Sequence, residues 1–372
     1  MSRVPPPRRC PPSSIRSSIT SGTVRRRSMP EKPILVVGAT GQVGSQIVTK
    51  LAGDGRPVRA LVRKSGRTVH GAPECVEYVV GDLNNPESLR HAVRGVGAVV
   101  STANAIIPTS RKDKVRRFAS SGYEALLEAC EREEIERFVF ASVPKPPRKF
   151  LDRVPQLKAS LVIEERLARS PIPTIAVRNP AFMDVWLVMT GCIQAAGTDP
   201  HRTVGRRYGF MQRYIGIVGD LVAKRGILLA PGGASHGSPM ISTRDVALMQ
   251  AAAVDLPDTP HRVIEAGGPA WVTWGEVAQM HEQRFGRRVR CLPMWPWLLG
   301  MNRLALRPFS AAASNILALT QFVASYQPAW DSAPVVRELG LPPQLSVADY
   351  LDQNLVGTAL HRGRTDRPGA NP

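Results

Sequence analysis

Three groups of residues carry chemistry that their neighbours support. The first is Gly38-Ala39-Thr40-Gly41-Gln42-Val43-Gly44, which follows the apolar run Ile34-Leu35-Val36-Val37. It opens a segment with Val43, Ile47, Val48 and Leu51 at helical spacing. Glycines at a strand-to-helix turn let the backbone bend sharply and approach a pyrophosphate, whose charge then rests on the helix N-terminus. The spacing is GxxGxxG, not the GxGxxG of the general dinucleotide fingerprint, but the strand before and the helix after supply the context that such a turn needs. The second group is Arg63-Lys64, at the end of the next apolar run. An acidic residue there would accept from the ribose 2′-OH of NAD; two cations suit the 2′-phosphate of NADP, which an arginine grips through paired donors. A solvated basic turn in a basic chain is the plain alternative. The third is Lys158, near the start of a helix expected over 156–169, with Val154 one turn before it.

These residues need a scaffold, and the chain supplies one by alternation. After Ile34–Val37, short apolar runs recur at Pro57–Val62, Val76–Val80, Ala98–Ser101, Phe138–Ala141 and Thr174–Val177. Helical patterns separate them, including Pro86–Arg94 and a longer one over Val115–Arg132. Such alternation predicts an α/β fold, a doubly wound parallel sheet with helices on both faces and a ligand crevice at the carboxyl ends of the strands. After about Met183 the rhythm loosens. Ile241–Val254 begins a further helix, Val263–Ala266 reads as a strand, and Thr273-Trp274-Gly275-Glu276 is a capping-box pattern opening another helix. The expected division is a basic arm at 1–30, a dinucleotide-binding domain at 31–185, a smaller α/β substrate or capping region at 186–355 interleaved with late elements of the first, and a flexible tail at 356–372.

The formal net charge of +19 suggests a nucleic-acid binder until its distribution is read. Residues 1–30 hold seven arginines, no acid and many Ser and Pro, a composition that cannot bury a core. The rest of the chain has 42 basic against 30 acidic residues without a dense run. No aromatic-interleaved RNA motif or zinc-finger spacing appears, so no nucleic-acid partner is expected. The arm reads as an organellar transit peptide, a basic tether, or an extension upstream of a start at Met29. The expected location is cytoplasmic, or organellar if the arm is a transit peptide. Five scattered cysteines, none in a CxxC, argue against a disulfide framework and a zinc site.

The segment ILVVGATGQVGSQIVTKL resembles the start of the atypical short-chain dehydrogenase/reductases, in particular the NmrA-like branch. GDLNNPESLRHAVRGVGAVVS, FVFASV, IPTIAVRNPAFM, ISTRDVA and EAGGPAWVTWGEVA follow in the family's order, so the resemblance spans roughly Pro33 to Val289. It implies cofactor contacts from Gly38, Thr40, Gly41, Gln42, Val43 and Gly44. It also implies an adenine contact at Asp82 and Leu83, a lining of the ribose and nicotinamide half by Thr102, Ala103 and Ser142, and a loop beside the nicotinamide that includes Pro180 and Phe182. Many relatives pair a tyrosine with a lysine one turn later; here Val154 replaces the phenol. The resemblance then offers two roles for Lys158: anchor of the nicotinamide ribose, or catalytic proton carrier with its pKa lowered by burial beside the cationic ring.

Two motifs are decoys. Gly233-Ala234-Ser235-His236-Gly237 spells a GxSxG nucleophile elbow, but the prolines and glycines around it predict a loop, not the strand–turn–helix an elbow needs. His281-Glu282-Gln283-Arg284-Phe285 begins like a zinc-protease HExxH and lacks its second histidine, so no metal is expected. Cys291–Trp330 is rich in Trp and apolar residues and bounded by arginines, which fits a lid over a substrate pocket or a peripheral membrane or protein contact. The leading expectation is an NADPH-dependent oxidoreductase acting on a small-molecule substrate as a monomer or homodimer. The alternative is a non-catalytic NAD(P)-binding sensor, scaffold or assembly factor.

Overall fold

The computed structural model describes residues 32–103, 121–151, 154–205, 209–257 and 260–362. The basic arm, the first part of the helix expected over Val115–Arg132, and the end of the tail lie outside the described residues. The described residues divide into two units: those within 32–180, 243–266 and 330–343 form one, and those within 181–242, 267–329 and 344–362 the other.

The first unit begins with strand β1 (Ile34–Val37), helix α1 (Gln42–Gly53), strands β2 (Val58–Val62) and β3 (Glu77–Val80), helix α2 (Pro86–Val93) and strand β4 (Ala98–Ser101). Helix α3 (Tyr123–Arg132), strand β5 (Arg137–Ser142), helix α4 (Pro155–Leu167) and strand β6 (Thr174–Arg178) follow. The chain then builds helices α5 (Met183–Met189) and α6 (Gly209–Val218) and strands β7 (Ile227–Pro231) and β8 (Gly237–Ser238) of the second unit. It returns to the first unit with helix α7 (Thr243–Ala253) and strand β9 (His261–Glu265).

Seven strands form one sheet in the order β3-β2-β1-β4-β5-β6-β9, every pairing parallel. Parallel strands are covered on both faces, which is why β1 and β4 are buried along their whole length and read as unbroken apolar runs. Side chains alternate across the sheet. Leu35 and Val37 enter a core with Leu89 and Val93 of α2, Leu126, Leu127 and Cys130 of α3, and Ile163 and Leu167 of α4. On α1, which packs against α7, the buried residues include Ile47, Val48 and Leu51. The order reverses between β1 and β4, the switch point where open α/β sheets bind their ligands. The strand expected near 263–266 proves to be the seventh strand of this sheet, paired Thr174 to His261 through Arg178 to Glu265.

In the second unit, β7 pairs in parallel with β11 (Arg290–Met294) and β8 pairs antiparallel with β10 (Val272–Thr273). Helix α8 (Trp274–Phe285) starts at the expected capping box: Thr273 Oγ1 accepts from Glu276 N at 3.1 Å, and Glu276 Oε2 accepts from Thr273 N at 2.7 Å. Helices α9 (Pro296–Leu306) and α10 (Ala311–Val323) pack on each other. Helix α11 (Ala333–Glu338) belongs to the first unit, and α12 (Val347–Arg362) to the second, where Tyr350 Oη donates to Ala195 O at 2.9 Å. Cys130, Cys192 and Cys291 are free thiols. Cys75 is disulfide-bonded, whereas the scattered cysteines argue against a disulfide framework. Among the described residues no helix is long and apolar enough to cross a membrane.

Candidate functional site

The site is built where β1 ends. Gly38 adopts φ +88°, a conformation that favours glycine, and its carbonyl accepts from Gly41 N at 2.8 Å to close the turn. Gly41 is the N-cap of α1 and provides no side-chain cap, so the first-turn N–H groups are left to other acceptors. Gly44 lies so close beneath the turn that a Cβ there would meet Gly38 O at 2.2 Å. A Cβ at Gly38 would meet Thr102 Oγ1 at 2.8 Å and Ala103 N at 2.9 Å. The glycines therefore let the β1 turn seat against the end of β4, and the positive helix terminus of α1 faces the switch point. Such a cradle fits a pyrophosphate. Gln42 is buried, its Nε2 3.5 Å from Thr243 Oγ1 of α7, while Thr40 and Val43 are half-buried on either side of it.

The β4 end is held by a residue that the sequence did not single out. Tyr123 of α3 is buried, and its hydroxyl donates to Ala103 O at 2.6 Å. With its one proton committed, it accepts from Ser101 Oγ, also at 2.6 Å. Burial pushes the phenol above its ordinary pKa, so Tyr123 is a brace and not a proton donor at neutral pH. Thr102 N donates to Val37 O at 2.9 Å, tying the two strand ends together. Arg63 and Lys64 lie directly after β2 and are both exposed. Asp82, after β3, accepts through Oδ1 from Asn84 N at 2.8 Å and from Asn84 Nδ2 at 2.9 Å, and Leu83 beside it is buried.

At the ends of β5 and β6 a buried polar cluster replaces the lone serine that the sequence offered. Ser142 Oγ donates to Glu164 Oε2 at 2.7 Å, and Glu164 forms an ion pair with Arg178, which also reaches Glu265 Oε1 at 3.5 Å. Burial disfavours the Arg178 charge, but the Glu164 and Glu265 carboxylates outweigh it and hold the guanidinium above its ordinary pKa. Asn179 Nδ2 donates to Val177 O at 2.9 Å and Ser142 O at 3.2 Å, clipping the strand ends to each other ahead of Pro180. Val154 is the N-cap of α4 and is 2% exposed, so an apolar core side chain stands where the phenol would be. Lys158, in the first turn of α4, has an exposed side chain. Glu164 carried no signal in the sequence, because Glu164-Glu165-Arg166 reads as a solvated helix face.

Phe182 is placed in the second unit. It bridges to Ile241, with Ile241 N donating to Ala181 O at 3.2 Å and Met183 N to Ile241 O at 3.0 Å. The GxSxG segment runs between strands β7 and β8, with no helix after it. His236 is anchored there, its Nε2 donating to Val323 O at 2.9 Å and its Nδ1 accepting from Gln327 Nε2 at 2.5 Å, so it cannot serve Ser235 as a base. His281 is fully buried in α8, and desolvation, reinforced by Arg284, pushes its pKa down to about 4.

With this geometry described, comparison with known proteins adds three findings. The NAD(P)H-binding family model matches residues 38–185, the stretch from the glycine turn to the start of α5. Among curated proteins the chain is 27% identical over 265 residues to photosystem II assembly factor Ycf39 of Trieres chinensis, covering 70% of this chain and 72% of that one. It is 26% identical over 332 residues to the Synechocystis protein of the same name, covering 86% and 90%. Among solved structures, an Escherichia coli NADPH-dependent quinone oxidoreductase complexed with NADPH superposes with TM-score 0.63 at 16% identity, over 86% of this chain and 98% of that one. A Citrobacter triphenylmethane reductase complexed with NADP(H) gives 0.64 at 17%, over 87% and 100%.

Proposed function

We propose that this chain, whose residues 38–185 match the NAD(P)H-binding family model and whose motifs resemble the NmrA-like atypical short-chain reductases, holds NADP(H) as a bound ligand and serves as an assembly factor for a photosynthetic membrane complex. This reverses the order of the two functions expected from the sequence. The observation that carries it is the chemistry around Lys158. Val154 buries an alkyl group where a proton donor would stand, and the Ser142 hydroxyl is committed to Glu164. The phenol that braces the β4 end, Tyr123, is itself buried and hydrogen-bonded. The curated relatives aligned over most of the chain carry the name of an assembly factor, which supports the same reading.

Bound NADP(H) supplies a hydride donor or acceptor at its nicotinamide. This chain's residues are read as the holder. Gly38, Gly41 and Gly44 admit the pyrophosphate, Arg63 and Lys64 receive the 2′-phosphate, Asp82 meets the adenine through the oxygen not used by Asn84, and Lys158 anchors the ribose. The test follows label from C4-deuterated NADPH into a panel of quinones, enals and aryl ethers. The expected result is binding without transfer; deuterium in a product refutes the ligand reading. A reductase working through Lys158 is the second reading, favoured by the exposed amine in the first turn of α4. Lys158→Ala separates the two: lost turnover with binding intact assigns proton transfer, whereas weakened NADPH binding assigns the anchor.

A further inference from the structure

Helix α9 presents an apolar face that is left exposed among the described residues. Leu292, Trp295, Trp297, Leu298, Met301, Leu304 and Phe309 are seven of the twelve large hydrophobic side chains exposed among the described residues, and they lie within one short segment. Phe309 is 86% exposed, Trp297 63% and Met301 60%. Trp297, Leu298, Met301 and Leu304 follow helical spacing and share one side of α9. The other side is spoken for. Leu299 is buried, Gln321 Nε2 of α10 donates to Pro296 O at 2.8 Å, and a Cβ at Gly300 would meet Gln321 Nε2 at 2.7 Å. The apolar face therefore points away from the packing between α9 and α10.

Charge decides what could cover it. From Gln283 to Trp330 the chain has six arginines and no Asp or Glu. Arg284 is paired with Asp352, but Arg288, Arg290 and Arg307 are exposed. Arg290 and Leu292 share a face of β11, and Arg307 follows Leu304 by one turn. A second copy of this chain would bring the same acid-free arginine rim against itself, which opposes self-docking. An anionic lipid surface satisfies both features: arginines meet the headgroups, while tryptophans and aliphatic side chains enter the boundary with the acyl chains. At 11 residues α9 is about 16 Å long, half the hydrocarbon thickness, so it would lie in the interface and not span it.

We infer that the α9 face is a docking site for an anionic membrane surface, seated through Trp297, Met301, Leu304 and Phe309 and steered by the arginines beside them. The inference stands on this face alone, so its failure would leave the cofactor reading untouched. The full-length chain is incubated with vesicles of phosphatidylcholine, with and without phosphatidylglycerol, and followed by co-sedimentation and tryptophan emission. The expected result is sedimentation and a blue shift only with the anionic vesicles, weakened by salt. Met301→Glu should lower vesicle affinity at least about tenfold while leaving NADPH binding unchanged. Arg307→Glu should reduce the salt dependence. Absence of binding to anionic vesicles would overturn the inference, as would binding that Met301→Glu leaves intact. A concentration-dependent dimer, or an acidic protein partner, that Met301→Glu abolishes without any vesicle binding would overturn it too.

Discussion

At the scale of single residues, the two glycines that shape the β1 turn are the most exacting. A methyl group at Gly44 has nowhere to go, because its neighbour is the backbone carbonyl of Gly38 and not a flexible side chain. Gly44→Ala should therefore leave the far-UV circular dichroism of a folded protein and abolish measurable NADPH binding; near-normal affinity would show that the dinucleotide sits elsewhere. Glu164 makes a different demand. Glu164→Gln removes the closest counter-charge of the buried Arg178 and should cost about 3 kcal/mol, read as a lowered urea midpoint. A shift within error would mean that the pair is effectively solvated. His281 predicts an acid response. Its folded pKa of about 4 lies below the unfolded value, so the unfolded chain binds the proton first. Stability should begin to fall as pH drops below about 6.5 and stop falling from this source near about 4, by a few kcal/mol in all. Thermal melts of His281→Leu should show a flatter acid limb; an unchanged limb would place the acid sensitivity in other groups.

At the scale of elements, much of the architecture was legible because parallel strands buried on both faces leave unbroken apolar runs between Gly- and Pro-rich turns. Strands β1, β4, β5 and β6 are of this kind, and helix α8 was legible from its capping box. The place of β9 was not legible: His261, Arg262 and Glu265 are polar and leave only Val263 and Ile264 as an apolar pair, and only its pairing with β6 shows that it extends the main sheet. The site divides the same way. The glycine turn is written in spacing, so it could be read. The Ser142–Glu164–Arg178 cluster joins the end of one strand, the middle of a helix and the end of another strand, and no periodicity links such residues. Tyr123 was hidden for the same reason. The exposure of Arg63 and Lys64 after β2 keeps both cations available to a ligand. Equilibrium titration should give NADPH binding at least about tenfold tighter than NADH, with the preference lost in the Arg63→Ala, Lys64→Ala double variant. Equal affinities in the parent chain would remove these residues from cofactor choice.

At the scale of the whole molecule, the net charge is the feature most easily misread. Seven of the arginines lie in residues 1–30 and six more in the acid-free stretch that flanks the apolar face of α9, so most of the net charge of +19 is concentrated in two segments. Beside the close-packed glycine turn of β1, Val154 is a buried alkyl group, Tyr123 a hydrogen-bonded brace and Ser142 a donor to Glu164, while Lys158 is exposed. The most direct measurement takes the purified full-length protein loaded with NADPH deuterated at either C4 position and adds a small-molecule extract of the cells that make it. The account predicts that the bound dinucleotide remains reduced and keeps its deuterium as long as in a protein-free control. Deuterium appearing in any extract compound, or NADPH oxidised faster than in that control, would contradict it and make the protein a reductase.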